Sequence, residues 1–358
     1  MARGAHQVFG DAEIVELPFA DGGEGTLDAL LAVWEQDAQT VETVDALGRR
    51  LTARCGLSES GATAVIEAAE ANGLPQVSDV PLQPRRADTY GVGQLARHVL
   101  DAGADEVLLC IGGSATTDGG TGLLTALGAQ FLTGDGSPVP PGGGGLAAIS
   151  RIDLTGLHPR ARDVRWRIAV DVDNPLTGER GAAAVFGPQK GADDDDVAAL
   201  DSGLSHLAQI LAETSGQDAD HYRSAAGFGA AGGIPLAMAA LLGAEVVPGS
   251  AMVAEAVGLD AALADSALVL TGEGRLDTQS LGGKVVGAVA SRAPASAAVV
   301  AIAGAVELSP GQSRAAGLTA AFSIAAGAAP LEELQTGAAQ LIEDTAAHVC
   351  ALYGQPRR

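Results

Sequence analysis

One pattern recurs along this chain: an apolar strand, a glycine-rich loop that carries a carboxylate, and then a helix. It occurs at Asp21–Gly25, at Gly112–Gly120 and at Thr271–Lys284. Strands that alternate with helices form parallel sheets, and ligands bind beyond the carboxyl ends of such strands. Glycine lets backbone N–H groups approach a phosphate, and the helix N-terminus adds partial positive charge. One such loop is also typical of an ordinary tight connection, but three together favour an α/β protein with an anion site.

The length and the core residues support this fold class. The chain has 358 residues, which exceeds one ordinary core and suits two domains. Aromatic residues make up only 3% of the chain, so the core must consist of Ala, Val, Leu and Ile. Such residues suit helices packed on parallel strands.

The charge and the cysteines limit the partners and the compartment. A net charge of -23 argues against nucleic acid and against anionic membrane surfaces as partners. No apolar run approaches the length of a membrane span, and the chain does not begin with an apolar signal region. The three cysteines, Cys55, Cys110 and Cys350, are scattered and form no CxxC, which indicates a reducing compartment. We therefore expect a cytoplasmic location.

Apolar periodicity predicts the order of the elements. An apolar stretch at 62–71 is expected to be a strand that runs into a helix, and Gly48 marks a hairpin turn. Strands are expected at 12–18, 39–47, 51–57, 105–111, 165–171, 267–271, 297–302 and 318–324, and helices at 27–34, 92–102, 121–127, 193–212, 234–242, 284–291 and 331–352.

Lysine is rare in this sequence. Of 21 basic residues only two are lysines, Lys190 and Lys284, and both lie in glycine-flanked loops. A lysine places a compact, flexible charge on a phosphate where a planar guanidinium would not fit. The alternative is chance survival on the surface.

The turn Asp171–Pro175 directly follows a predicted strand and holds two carboxylates and an amide. That set suits Mg²⁺, but it suits substrate hydroxyls or a simple Asx turn before proline equally well. The four aspartates of Asp193–Asp196 are typical of a helix N-terminus. The six histidines are scattered without metal spacing, and we expect them to be structural or exposed.

Other motifs are absent from the sequence. There is no GxxxxGK[ST] loop, and Thr271-Gly-Glu-Gly274 is not followed by the third glycine of a dinucleotide fingerprint until Gly282. Ser114 lies in Gly-Gly-Ser-Ala-Thr, which is not the GxSxG elbow of serine hydrolases. These absences weaken the oxidoreductase and hydrolase interpretations.

Six long stretches, in order, carry a resemblance that covers nearly the whole chain. They are 18–26 (PFADGGEGT), 111–120 (IGGSATTDGG), 171–178 (DVDNPLTG), 185–191 (VFGPQKG), 229–233 (GAAGG) and 270–277 (LTGEGRLD). In these stretches the chain resembles the bacterial glycerate kinase family, of the glycerate 2-kinase type.

The resemblance implies two α/β domains. A flavodoxin-like parallel-sheet domain would comprise 1–40 plus 255–358, and a second α/β domain, 41–254, would be inserted into it, with the active site in the cleft. The implied reaction transfers the γ-phosphoryl group of ATP to D-glycerate with Mg²⁺ and gives 2-phosphoglycerate. There are two alternatives to an active kinase. One is a catalytically impaired homologue that binds ligand, and the other is a dinucleotide-dependent oxidoreductase.

The resemblance also assigns roles, which remain hypotheses. Lys284 and Arg275 would neutralise phosphates or the glycerate carboxylate, and Lys190 would approach from the inserted domain. Glu273, Asp277 and Asp171 would hold Mg²⁺ or orient the hydroxyl. The expected catalytic residues are therefore Lys284, Arg275, Asp277 and Lys190, the metal ligands Asp171 and Glu273, and the binding residues Asp21, Gly22, Gly23, Glu24, Gly113, Ser114, Asp118, Asp173, Asn174, Thr271, Gly272, Glu273 and Gly274.

The chain departs from the family pattern in three places. Family members usually begin with a strand that ends in Asp-Ser-Phe-Lys-Gly, and this sequence begins within the helix that follows it, at Ala2. Loss of a central strand would expose sheet edges, so we expect a start further upstream rather than an impaired enzyme. Thr117 and Val285–Val286 stand where asparagine and Ala-Pro are common.

Overall fold

The computed structural model describes residues 1–278, 280 and 284–355. Glycines 282 and 283, which flank Lys284 in the predicted loop, lie outside the described residues. The chain divides into two compact units, one of Gly22–Met252 and one of Met1–Asp21 with Val253–Arg358. The predicted division had its first boundary at residue 40. The earlier boundary follows from packing, because Leu27 and Leu31 lie against Gly56 of the larger unit.

A six-stranded mixed sheet forms the centre of the larger unit. The strands of this unit are β1 Gln39–Val44, β2 Arg50–Leu57, β3 Thr63–Glu67, β4 Glu106–Cys110, β5 Gln130–Leu132, β6 Arg151–Asp153, β7 Arg165–Ala169 and β8 Glu245–Val247. The order in the six-stranded sheet is β1-β2-β3-β4-β7-β8, in which β1 with β2 and β2 with β3 are antiparallel and the remaining pairs are parallel. Strands β5 and β6 form a separate antiparallel pair that the sequence pattern did not predict, because each strand has only three residues.

Helices cover this sheet, and the core between them consists of Leu, Ile, Val and Ala with the buried Trp166. Asp193 caps the longest helix by accepting a hydrogen bond from the Asp196 N–H, which confirms the helix-start interpretation of the acidic run. The α-helices are Thr26–Trp34, Ala69–Asn72, Leu74–Val77, Tyr90–Asp101, Thr121–Ala126, Ala182–Phe186, Asp194–Ser215, Ala219–Ser224, Ile234–Leu242 and Gly249–Ala256, and the 3₁₀ turns are Gly143–Ala148, Pro188–Lys190 and Ala230–Gly233.

The smaller unit contains a parallel three-stranded sheet of order β11-β10-β9. Its strands are β9 Leu268–Leu276, β10 Ala298–Val306 and β11 Ala320–Ser323, and its helices are Ala2–His6, Leu259–Leu263, Val285–Arg292, Pro310–Ala315, Leu331–Thr336 and Ala338–Tyr353. Apolar side chains on both faces of β10 are buried, including Val299, Ala301 and Ile302. This parallel sheet confirms the predicted α/β class.

Three predicted elements differ from the structure. The strand expected at 12–18 is wrong: residues 13–20 have no regular secondary structure, and Val15 is 61% exposed, because alternation alone supplies no partner strand. The single helix expected at 331–352 is divided in two at Gly337. Strand β9 continues through Leu276, so the polar Thr271–Arg275 segment belongs to the strand and not to a loop.

Candidate functional site

Three glycine-rich segments of the larger unit meet near the carboxyl ends of β4 and β7. A Cβ atom added at Gly22, whose φ is +90°, would lie 2.7 Å from both Ala169 Cβ and Gly249 Cα. One added at Gly112 would lie 3.5 Å from Gly23 Cα. Glycine at position 22 is therefore required both by its backbone conformation and by close packing.

Glu24 and Gly113 bring two of these segments into contact. Gly113 has a φ of +72°, and a Cβ atom there would lie 2.5 Å from Glu24 Oε1. Gly112 and Gly113 are exposed, whereas Ser114 to Gly120 are buried. Only the start of this loop, with its backbone N–H groups, faces solvent, which makes it the part of the loop that a ligand can reach.

Lys190 is buried behind the same loop and is 2% exposed. Its Nζ donates hydrogen bonds to the Thr116 carbonyl oxygen at 2.6 Å and to Ser114 Oγ at 3.1 Å. Burial lowers the pKa of the Lys190 amine to about 7, and the charge of Asp118 partly opposes the shift. The amine therefore contacts the loop directly and would reach a ligand only through it.

Asp118 is fully buried, and its carboxylate accepts four hydrogen bonds. The donors to Oδ2 are the Thr89 N–H and hydroxyl at 2.9 and 2.8 Å and the Gly122 N–H at 3.0 Å. The Gly120 N–H donates to Oδ1 at 3.1 Å. The carboxylate thus joins the loop to the start of two helices, Tyr90–Asp101 and Thr121–Ala126.

The segment Gly229–Gly233 supports the loop from another side. The Gly119 N–H donates to the Gly232 carbonyl oxygen at 3.0 Å. A Cβ atom at Gly232, whose φ is +70°, would lie 2.0 Å from the Thr116 carbonyl oxygen, which is the main acceptor of Lys190. Side chains cannot be accommodated there without displacing the loop.

We expect Gly232→Ala to lower the free energy of unfolding by about 2–4 kcal/mol, from the left-handed backbone and the steric overlap together. Gly216→Ala is the matched control, because Gly216 has a φ of +74° with nothing within 4 Å of an added Cβ. It isolates the backbone cost of about 1 kcal/mol. Urea unfolding measures both, and equal losses in the two variants would contradict the close approach.

The turn after β7 is held by hydrogen bonds of its own unit. Asp171 Oδ1 accepts the Gly249 N–H at 2.9 Å. Arg180 Nη2 donates to both carboxylate oxygens of Asp173 at 2.9 Å, and Asn174 Nδ2 donates to the Arg180 carbonyl oxygen at 2.8 Å. Asp171 and Asp173 are exposed and lie on one turn, as the sequence predicted.

A cavity of about 290 Å³ lies next to the Glu24 segment. Arg54 is the one cation among its lining residues, and its guanidinium already donates to Glu70 at 2.7 Å and to Asp28 at 2.9 Å. Carboxylates dominate the remaining surface, so the cavity disfavours an anionic ligand. The lining residues are Glu24, Gly25, Arg54, Glu67, Ala69, Glu70, Pro75 and Gln76.

In the smaller unit, the residues expected to bind phosphate lie along β9. The strand pairs in parallel with β10, with Thr271 opposite Ala301 and Glu273 opposite Ala303. A Cβ atom at Gly272 would lie 2.1 Å from the Ile302 carbonyl oxygen, and one at Gly304 would lie 2.5 Å from the Gly274 carbonyl oxygen. Glycine at 272 lets the two strands approach.

Charged side chains gather at the end of β9. Arg275 Nη2 donates to Glu307 at 2.5 Å, and Arg275 Nε lies 3.9 Å from Asp277. Burial raises the pKa of Glu273, while a hydrogen bond with Ser280 and the charge of Lys284 oppose the shift. Lys284 is exposed at the N-cap of the Val285–Arg292 helix. The structure thus brings Glu273, Asp277 and Lys284 into one electrostatic cluster, to which Asp21 also contributes.

Among the described residues, no three or more His, Cys, Asp or Glu side chains form a metal-binding group. Mg²⁺, however, commonly takes one or two carboxylates and completes its shell with waters and phosphate oxygens. Glu273 Oε1 is buried and has no hydrogen-bond partner in the part of the chain that the structure describes. That orphaned oxygen fits a cation ligand. Asp171, the other expected ligand, belongs to the larger unit.

Sequence reasoning missed three polar residues that shape the site: Asn72, Glu67 and Asp88. Asn72 Nδ2 donates to Thr116 Oγ1 at 3.1 Å. Glu67 Oε1 of β3 accepts the Leu27 N–H at 2.7 Å and so pairs a backbone donor at the start of the Thr26–Trp34 helix. Asp88 lies beside Asp118. Each of these partners is distant in sequence, so the only available signal was a polar residue within an apolar stretch, as at Asn72.

Asp88 predicts a pH dependence of stability. Burial and the charge of Asp118 raise the pKa of Asp88 from 3.8 to about 7. Its stabilising contribution is therefore complete below pH 3.8 and is lost as the pH rises to about 7. We expect Asp88→Asn, which can still accept the Tyr90 N–H, to be more stable than the parent by about 1–3 kcal/mol above neutral pH. Urea unfolding across the acid-to-neutral range measures this, and a gain that is constant with pH would contradict it.

The parallel strand pairs, each followed by a glycine-rich loop or a helix, place the chain among the α/β proteins. A family model described as "Glycerate kinase family" matches residues 1–354. The chain belongs to the glycerate kinase family. It is 42% identical to glycerate kinase of Bacillus subtilis (strain 168), covering 98% of this chain and 91% of that protein. It is 40% identical to glycerate 2-kinase of Escherichia coli (strain K12), covering 94% and 88%.

A solved structure agrees with the fold. A crystal structure assigned as glycerate kinase 2 from Salmonella typhimurium LT2 superposes with a TM-score of 0.89 at 40% identity, over 98% of this chain and 92% of that one. This similarity confirms the predicted resemblance and the α/β fold. No helix in the described part of the chain is both long and apolar enough to cross a membrane.

Proposed function

We propose that this protein transfers the γ-phosphoryl group of ATP to D-glycerate and forms 2-phosphoglycerate. The observation that carries the proposal is the 40% identity to a glycerate 2-kinase over 94% of the chain. The acidic charge of -23 supports small-molecule partners over nucleic acid. Three free, buried cysteines support a cytoplasmic location.

The proposed site works mainly by positioning and charge neutralisation, which is what phosphoryl transfer requires. The exposed N–H groups of Gly112 and Gly113 are suited to an oxyanion of the substrate. Glu24, Asp171, Asp173 and Asn174 are suited to orient glycerate hydroxyls, with Arg180 fixing Asp173. Gly22 and Gly23 let these groups approach closely.

On the smaller unit, Lys284 and Arg275 would neutralise the transferred phosphate. Arg275 would have to exchange its contact with Glu307 for a phosphate oxygen, since its Nη2 is engaged at 2.5 Å. Thr271, Gly272 and Gly274 would line the nucleotide. Mg²⁺, when bound, would screen the charge of the phosphate oxygens. Glu273, with its orphaned Oε1, and Asp277 would hold it.

An ADP-release assay with ATP, Mg²⁺ and D-glycerate tests the proposal, followed by ³¹P NMR of the product. We expect turnover with D-glycerate, none with glycerol, and the phosphate on the 2-hydroxyl. Release of ADP that does not depend on glycerate would contradict the proposed acceptor. A 3-phosphoglycerate product would contradict the proposed position. Binding of glycerate without any turnover would instead support the impaired homologue.

A further inference from the structure

Lys190 is an unusual group to find inside a loop that faces a ligand. It is one of two lysines in 358 residues, it is 2% exposed, and its two hydrogen-bond partners are Thr116 and Ser114 of the Gly112–Gly120 loop. Ser114 is itself 7% exposed and follows the exposed glycines directly. The amine is therefore one hydroxyl group away from the part of the loop that a ligand can reach.

We propose that Lys190 is a positioning residue: its ammonium group shapes the Gly112–Ser114 segment, and an anionic ligand bound there draws a proton onto Lys190. The inference rests on the proposed function, which places an organic acid at this segment. Lys190 does not contact the ligand in this scheme. It acts through Ser114 and through the Thr116 carbonyl.

The hydrogen bonds explain how the proton matters. A protonated amine donates to both Thr116 O and Ser114 Oγ, so the Ser114 O–H remains available to donate towards an anion. A neutral amine has a lone pair that can accept the Ser114 O–H, and the serine then presents an oxygen that repels the anion. The protonation of Lys190 therefore sets whether Ser114 acts as donor or acceptor towards the ligand.

The surrounding charges place this change near neutral pH. Burial disfavours the ammonium form, and Asp118 is the acid whose charge favours it. The Ala182–Phe186 helix packed against Pro188–Lys190 carries no titratable group. Leu82 contacts Gly191, and two arginines follow Leu82 on the same segment. Arg85 pairs with Asp196 at 2.5 Å, and the charge of Arg86 acts on Asp88. Glu70, near Asn72, is bonded to Arg54.

The scarcity of lysine permits a direct measurement. In ¹³C-lysine-labelled protein of this 358-residue sequence, only Lys190 and Lys284 give side-chain signals, and Lys284→Arg assigns the remaining one to Lys190. We expect the Lys190 signal to titrate well below the ordinary lysine value of about 10.4. Saturating D-glycerate should raise the midpoint by about one unit, and glycerol should leave it unchanged.

Calorimetry supplies an independent value for the same coupling. The coupling is reciprocal. If bound glycerate raises the Lys190 midpoint by one unit, the protein with a protonated Lys190 must bind glycerate roughly tenfold more tightly than the protein with a neutral Lys190. The glycerate carboxyl, with a pKa of about 3.5, does not titrate in this range. Asp88→Asn removes the carboxyl beside Asp118, whose pKa is also raised to about 7. The two measurements must agree.

Two variants separate this role from simple packing. Lys190→Met should weaken glycerate binding and abolish its pH dependence, whereas a merely structural lysine would weaken binding equally at all pH values. Ser114→Ala, a smaller change, should reduce the shift that glycerate causes in the Lys190 midpoint. It keeps the test decisive should Lys190→Met fail to fold.

A Lys190 midpoint near the ordinary value, or one that glycerate does not move while glycerate is phosphorylated, overturns the inference and leaves the proposed function intact. Absence of both glycerate binding and turnover overturns the two together. A glycerate-induced shift that matches the calorimetric pH dependence supports it.

Discussion

Lys284→Ala is expected to lower kcat/KM for phosphorylation of D-glycerate by about 100- to 1,000-fold, the usual effect of removing one group that neutralises charge in a transition state. Lys284 is exposed at the start of the Val285–Arg292 helix, where its charge reaches Glu273. Both the helix N-terminus and the ammonium group favour an anion at that position. Steady-state kinetics with varied ATP and varied glycerate measure the loss.

The matched control lies at the other end of the same helix. Arg292 Nη1 is 3.2 Å from Asp260, and Arg292→Ala should change kcat/KM less than about twofold, since a partly exposed ion pair contributes little. Lys284→Arg should recover part of the activity, because it retains the charge but not the compact shape. A Lys284→Ala enzyme with near-parental kcat/KM would show that the phosphate is neutralised elsewhere.

Asp118→Asn is expected to lower the free energy of unfolding by about 3–5 kcal/mol, a large part of the 5–15 kcal/mol typical of a folded protein. All four partners of the carboxylate are donors, so an amide that replaces one oxygen by an NH₂ group sets donor against donor. The buried N–H groups that remain unpaired carry the cost.

Urea unfolding measures the loss of stability, and glycerate binding and turnover are measured on the same variant. Asp163→Asn is the control, an exposed aspartate at which the same change should cost less than about 0.5 kcal/mol. If Asp118→Asn kept its stability but lost glycerate binding, the carboxylate would be a ligand contact, as the sequence first suggested, rather than a support for the loop.

The segment from β4 to the helix that follows it was predicted well from the sequence. The strand expected at 105–111 is β4, Glu106–Cys110, and the loop and helix that follow it lie where the glycines placed them. Here the local pattern is sufficient, since a buried apolar run and a glycine-rich turn are both local properties.

The environment of a site residue was not predictable in the same way. The sequence predicts both Asp118 and Asp173 to be carboxylates in polar loops. In the structure Asp118 is buried and Asp173 is exposed. The difference arises from Thr89, 29 residues away from Asp118. Similarly, the partner of Lys190 is 76 residues away. Such contacts are set by the tertiary fold, which apolar periodicity and motif spacing do not encode.

The burial of Lys190 has a practical consequence for labelling. Amine-reactive esters need a solvent-exposed, unprotonated amine, and of the two lysine side chains only Lys284 is exposed. Of the two lysines in this sequence, a dye, crosslinker or biotin would therefore attach at Lys284 and not at Lys190. The protein can in this way be tagged next to its proposed phosphate site without introducing a cysteine, and protection from the tag by ATP would report nucleotide occupancy directly.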